Sequence, residues 1–245
     1  MTISNVQAEK YATAASNAVT VAWDSTPTSG NLLIARAIGA GASDGGAISG
    51  WTSLTTAPRY GASTGYVNIF WKIAGGSEGD VTVTFTGSNP TRIEISEWSN
   101  SDGWASTPID VQSYADSTGG VTSKSTGTTG TTAIAIELAV AVTGWGGAVT
   151  GISWTNSFTS SYEVPVGSIT FSGAYKILSA TGTVETTASW TTSRYCGAAV
   201  ATFKGNAPAG GWTNIAKVNG LASSGIAKVK GVAVASIAKV NGVAV

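Results

Sequence analysis

Histidine is absent from the 245 residues of this chain, and cysteine and methionine occur once each. Without an imidazole, a Ser-His-Asp triad, a Cys-His pair and the common zinc and haem sites are excluded or badly handicapped. The lone Cys196 cannot close an intrachain disulfide. Within residues 194–203 it reads as a small packed strand residue, so stability has to come from packing. Charge is scarce too, at 11% of the chain. Long apolar runs are missing: Arg36 interrupts residues 32–38 and Glu137 interrupts residues 133–142, so no membrane insertion is expected. Residues 1–16 carry neither a basic n-region nor an apolar h-region, which predicts folding in a cytoplasm.

What is present points to β-structure. Apolar residues make up 42% of the chain, and glycine, serine and threonine fill most of the rest. Val67, Ile69, Trp71 and Ile73 alternate along one predicted strand, and Val81, Val83 and Phe85 along the next, opposite Thr82, Thr84 and Thr86. Glycine-rich segments at 39–46 and 74–80 supply the turns. No long segment has helical periodicity.

The sequence also repeats itself. FWKI at 70–73 matches AYKI at 174–177, and GWTS at 50–53 matches SWTN at 153–156. TVTFT at 82–86 aligns with TASWT at 187–191, and IEISEWS at 93–99 aligns in pattern with AAVATFK at 198–204, all at offsets of 103–105. Residues 30–98 and 132–203 are therefore expected to be equivalent halves related by an approximate two-fold, with Trp71 and Tyr175 in matching positions. Two copies of about five strands each, too short to bury both faces alone, predict an all-β, two-sheet, jelly-roll-like sandwich over residues 1–205.

A flexible linker at 206–211 then leads to a tail, 212–245, of three units with an eleven-residue period: IAKVNGLASSG, IAKVKGVAVAS and IAKVNGVAV. Asn-Gly between apolar runs breaks a helix and favours a two-residue hairpin, so the tail reads as a series of small β-turn units. Ile215, Ile226 and Ile237, with Lys217, Lys228 and Lys239, recur in register and are the candidate assembly residues. Charge divides unevenly: residues 1–203 hold eight basic and thirteen acidic groups, a net −5, whereas 204–245 hold five lysines and no acid. The tail's wealth of Val, Ala and Ile speaks against a nucleic-acid arm, and no nucleic-acid partner is expected.

With imidazole chemistry gone, carboxylate chemistry of the glycosidase kind is what remains, and it needs two acids facing each other across a cleft. Glu94 and Glu97, three apart on one strand, face opposite ways. Alternation turns Glu97 inward beside Ile93 and Ile95, where an unpaired carboxylate is costly, so a bulge or a bonded partner is expected. Glu78, Asp80, Asp102 and Asp110 have the oxygen ligands that Ca²⁺ prefers, but solvated turn acids are the plainer reading; no metal, cofactor or catalytic residue is expected. Of the nine tryptophans, Trp23, Trp71 and Trp190 fall in alternating strands as core, with Tyr175 at the duplicated position of Trp71, while Trp51 and Trp154 match each other. Trp104, Trp145 and Trp212 have loop-like surroundings. Trp104 and Trp145 are the candidate platforms for stacking on carbohydrate, against a plainer reading in which they cap the sandwich ends.

The series GNLLIA (30–35), GWTSL (50–54), WKIAGGSEGDVTVTF (71–85), IEISEWS (93–99) and AVATFK (199–204) resembles a duplicated jelly-roll domain of tailed-phage virion proteins and some bacterial surface proteins. Asn100 departs from the glycine frequent there. The IAKVNGVA tail is similar to short C-terminal repeats of phage and bacterial appendage proteins. The resemblance implies a non-enzymatic virion component (head decoration, fibre or tail tip) assembled in the host cytoplasm, with the bacterial cell surface as the alternative location. Its expected partners are other virion proteins and copies of itself, a trimer being the expected symmetry, together with a host-surface glycan. A carbohydrate-binding adhesion module and a glycan depolymerase are the alternative readings.

Overall fold

The computed structural model describes residues 1–61, 65–87, 90–117, 119–164 and 169–206, with residues 162–164 and six short tail strands described by backbone alone. The described residues contain strands and no helix. The first half of the body carries β1 (Ile3–Asn5), β2 (Lys10–Ala14), β3 (Ala18–Val21), β4 (Leu32–Ala40), β5 (Ala47–Ile48), β6 (Thr52–Ser53), β7 (Gly65–Ile73), β8 (Val81–Thr84) and β9 (Thr91–Asn100). The second carries β10 (Trp104–Asp116), β11 (Val121–Ser125), β12 (Glu137–Trp145), β13 (Ser153–Trp154), β14 (Thr159–Val164), β15 (Thr170–Ile177), β16 (Thr187–Arg194) and β17 (Cys196–Gly205).

Each half builds one large and one small antiparallel sheet. The first large sheet runs β1-β9-β4-β7-β6, with β2 also on β9, and the second runs β10-β17-β12-β15-β14. The small sheets are β3-β8-β5 and β11-β16-β13. Strand for strand the two halves correspond, β10 taking the places of both β1 and β2. The ladders fix the equivalence residue by residue: Ile34 pairs with Trp71 and Ser96 in the first half, as Val140 pairs with Tyr175 and Ala201 in the second. Trp71 and Tyr175 thus do occupy matching positions. The repeat reaches further than residues 30–98 and 132–203, because Ile3 opposite Asn100 corresponds to Trp104 opposite Gly205.

The sandwich is four sheets deep, ordered small, large, large, small. Alternation on the large sheets gives each two apolar faces. Leu32, Ile34 and Ile38 of β4 meet Leu138, Val140 and Val142 of β12 in a central core shared by the halves. The intervening Ala35 and Ala37 turn the other way, onto Val19, Val21, Val81 and Val83 of the first small sheet. In the second half Ala139 and Ala141 face a separate core with Phe158, Leu178 and Val184, and Trp145 and Cys196 pack on Ala188 and Trp190. Each copy therefore closes its own small core, and the two join through their large sheets.

That junction has the reciprocity of a two-fold. Trp71 of the first half meets Phe203 of the second edge-on at 5.5 Å, and Tyr175 of the second meets Trp98 of the first at 4.8 Å. Exchanging the halves turns one pair into the other, as across an isologous dimer interface. Near the centre the symmetry breaks. A Cβ on Gly144 would lie 2.6 Å from Ile38 Cδ1, and one on Gly173 would lie 3.0 Å from both Cδ and Cζ of Arg36. The ladder counterparts of these two glycines are Ile38 and Ile69. Side chains of the first half thus fill holes that glycine leaves in the second.

Arg36 occupies its hole as a fully buried cation. Nη1 donates to Glu94 Oε2 at 2.5 Å, and Nη2 reaches across the junction to the Ala174 carbonyl at 3.2 Å. Both side chains of the ion pair are 0% exposed. Burial pushes the Glu94 carboxyl above its ordinary value, although the guanidinium beside it pulls the other way. Removing one partner of such a pair strands the other, at a cost of about 3–5 kcal/mol, whereas apolar replacement of both is close to neutral. Arg36→Met alone should therefore lower unfolding stability by about that amount, and Arg36→Met with Glu94→Leu should recover most of it. Urea denaturation of the two variants checks this.

Candidate functional site

Trp104 and Trp145, expected as exposed stacking platforms, are buried. Trp104 opens β10 at 7% exposure, belongs to the central core, and donates its indole N–H to the Trp98 carbonyl at 3.0 Å. Trp145 closes β12 at 0% exposure, its ring edge-on to Trp190 at 4.9 Å. Their flanks are half-buried or exposed strand ends while the rings themselves turn into the core, so neither offers a ring face to a ligand. Trp212, Ile215, Ile226 and Ile237 lie outside the described residues.

The tail lysines fall in a described pattern of backbone. β18 (Lys217–Val218) pairs with β19 (Leu221–Ala222), β20 (Lys228–Val229) with β21 (Val232–Ala233), and β22 (Lys239–Val240) with β23 (Val243–Ala244), all antiparallel. Two residues separate the strands of each pair, Asn-Gly, Lys-Gly and Asn-Gly in turn, the loop length that the dipeptides called for. Lys217, Lys228 and Lys239 each begin a hairpin. Lys204 belongs to the body, where it pairs with Asp110 at 2.8 Å, so the body ending at 206 carries −4 and the tail four lysines.

The acids weighed for chemistry are held in structural bonds. Glu97 does turn inward, and its partners are present: Thr28 N–H at 2.8 Å, Asn31 Nδ2 at 2.6 Å and Gln7 Nε2. It thereby fixes the β3–β4 connection, on the opposite face of β9 from Glu94. Among the acids weighed for Ca²⁺, Glu78 binds Lys72, Asp102 lies 3.6 Å from the amino terminus, and Asp110 binds Lys204. No group of three His, Cys, Asp or Glu placed to hold a metal occurs among the described residues.

One acid pair has divergent pKa values, the pattern by which catalytic acid and base are recognised. Burial pushes Glu137 up, and the neighbouring Asp110 carboxylate adds to the rise. On Asp110 burial acts upward too, but hydrogen bonds from Lys204 and the Ala133 N–H outweigh it and hold the group below its usual range. Asp110 is bound by Lys204 and accepts from the Ala133 N–H, and Glu137 accepts from the Ile134 N–H, so both carboxyls tie down the chain at residues 133–134.

The cavities show what alternation alone hides. Two clefts, of about 460 and 310 Å³, lie at corresponding places in the two halves, where the end of the small sheet meets the large one. The smaller is lined by Trp51, Lys72, Glu78 and Asp80 among others, the larger by Phe158, Lys176, Glu185, Asn156 and Thr128. Ladder register makes Lys72 the counterpart of Lys176, since each pairs with the same position of β4 or β12. Thr52 opposite Trp71 and Thr159 opposite Tyr175 make Trp51 the counterpart of Phe158. Val83 and Ala188 are likewise equivalent, which places Asp80 opposite Glu185. Identity of letters had matched Trp51 to Trp154; in the ladder Trp154 takes the place of Ile48 instead.

In the larger cleft Lys176 Nζ donates to the Asn156 carbonyl at 2.8 Å, and Asn156 Nδ2 donates to the Glu185 carbonyl at 2.8 Å. Hydroxyls of Thr128 and Ser125 bond the Glu185 carboxylate at 2.5 and 2.7 Å and hold it below its ordinary range. Asn156 and Ser157, with φ of 57° and 60°, are the non-glycine residues with left-handed backbone among those described, a conformation that costs energy and collects at working sites. In the smaller cleft burial pushes Glu78 upward, but the Lys72 ammonium at 2.8 Å and the Gly75 N–H at 2.7 Å prevail and lower it. Carboxylates held ionised are poor general acids.

Fold and clefts define a class, an antiparallel β-sandwich protein with an internal repeat and a duplicated pair of polar clefts. No known protein family, curated protein or solved structure matches the chain. No helix among the described residues is long and apolar enough to cross a membrane.

Two outcomes follow for the buried groups. Trp104→Ala and Trp145→Ala should each lose about 3–5 kcal/mol, as large aromatic truncations in cores do, which thermal or chemical melts will read. Glu137 is more easily protonated in the folded chain than in the unfolded one, so stability is lost as pH rises from the unfolded pKa through the folded one. Glu137→Gln, which cannot ionise, should melt at least as high as wild type at pH 8 and show no advantage at pH 4.

Proposed function

We propose that the chain is a non-enzymatic structural protein of a virion, a two-lobed body displayed from the particle and attached through its C-terminal hairpin repeats. The observation that carries this reading is the junction of body and tail. Asn206 donates its backbone N–H to the Gly103 carbonyl at 3.0 Å and its side-chain amide to the Asp102 carbonyl at 2.9 Å. That clamp holds the last described residue of the body. Beyond it come three like hairpins that carry four lysines and no acid, while the body they could meet on a sister chain is net acidic. Repeats this small have few contacts each and gain stability by stacking on neighbours, and a line of like charges is best tolerated against an acidic partner.

Resemblance to phage virion proteins supplies the particle and the assembly with other virion proteins; assembly with copies of this chain, as a trimer, is part of the same proposal. The depolymerase alternative has little support: Glu94 and Glu97 serve the junction and a loop, and Glu78 and Glu185 of the clefts are held ionised.

Ending the chain after Asn206 tests the assignment of the tail. The shortened protein should keep its β-sheet circular dichroism and melting temperature while losing the self-association of the full chain in light scattering. Unchanged association would make the tail a passive extension and overturn the attachment mechanism.

A further inference from the structure

We propose that the two clefts are a duplicated binding site for a neutral oligosaccharide, one ligand per half, independent of how the tail is used. The first support is what the duplication kept. Charged residues of the first half have mostly lost their counterparts: Arg36, Glu94 and Glu97 stand where the second half has Val142, Ala199 and Thr202. In the clefts, by contrast, a lysine (72 and 176), an acid (80 and 185) and an aromatic ring (51 and 158) persist together. Packing alone accounts for the rings, which border the small cores. It does not account for an ammonium and a carboxylate at solvent-facing positions of both copies.

The second support is chemistry. A saccharide offers an apolar C–H face and a rim of hydroxyls that both donate and accept. In the smaller cleft the half-buried Trp51 ring, Glu78 fixed as an acceptor and the Lys72 donor meet those needs; in the larger, where Phe158 is only 7% exposed, Lys176 and Glu185 supply the polar contacts, and both volumes fall in the range of ligand pockets. In the larger cleft Lys176 and Glu185 cancel, and in the smaller one Lys72 faces Glu78 and Asp80, so neither favours an anionic ligand. The left-handed turn at Asn156–Ser157 is a third, separate sign, since it bends the chain at the rim of the larger cleft. The small sheets lie on opposite outer faces of the body, so the two sites would face different ways and could engage two strands of a polysaccharide, with avidity beyond either site.

The test uses the full chain, titrated calorimetrically with maltotetraose, cellotetraose, mannotetraose and N-acetylchitotetraose, with tetragalacturonate as the anionic comparator. At least one neutral oligosaccharide should bind with two sites per chain. Lys72→Ala with Asp80→Ala, and separately Lys176→Ala with Glu185→Ala, should each cut the stoichiometry from two to one, and the combined variant should bind none while keeping its β-sheet circular dichroism. Three results would overturn the proposal: no binding across the neutral panel, binding confined to the galacturonate, or binding that the cleft substitutions leave at two sites. None bears on assembly, which the shortened chain tests by itself.

Discussion

The junction between the two large sheets is the constraint from which the rest of the body follows. Each large sheet must be apolar on both faces, one for its own small core and one for the other half, and this is why β4, β9, β12 and β17 are almost entirely buried. Within that junction the Arg36–Glu94 ion pair is neither apolar nor symmetric. Its guanidinium bonds a carboxylate of its own half and a carbonyl of the other, so the charge is satisfied only while the halves are docked in one register. Apolar packing is tolerant of sliding, whereas a buried cation with two specific acceptors is not.

The two halves then divide their labour by depth. At two positions near the centre of the junction the copies have diverged into complementary shapes, Ile38 and Arg36 filling the space left by Gly144 and Gly173, within an otherwise reciprocal apolar contact. At the outer rims, where the small sheets end, a lysine, an acid and an aromatic ring occur in both copies.

Much of the fold was legible in the sequence because period-2 alternation is a direct imprint of half-buried strands. The stretch from Val67 to Ile73 lies in β7 and the stretch from Val81 to Phe85 holds β8, which ends at Thr84, and Glu97, an inward acid needing partners, has them. The smaller strands left no such imprint. β3 reads AVTV and its counterpart β11 reads VTSKS, and the offset between halves shrinks from 105 to 101 toward the N-terminus, so the repeat could not be followed there. Tryptophans were misjudged for one reason: glycine neighbours mark a turn, but a ring at a strand end can still turn into the core. The clefts escaped notice because their residues come from three separate connections. Lys72 and Lys176 were visible in the FWKI and AYKI match, yet only the ladder shows that Trp51 answers to Phe158 and not to Trp154.

Gly144 and Gly173 carry an evolutionary implication. Once Ile38 and Arg36 had grown into the space above them, no single substitution could restore the symmetric ancestor: enlarging either glycine collides with an occupied hole, and shrinking either partner opens a void or strands Glu94. The copies are entrenched in each other. What began as two interchangeable modules has become a pair that recognises only its own opposite. Two first halves would clash where Ile38 and Arg36 need glycine opposite them, so a first half docks only on a second.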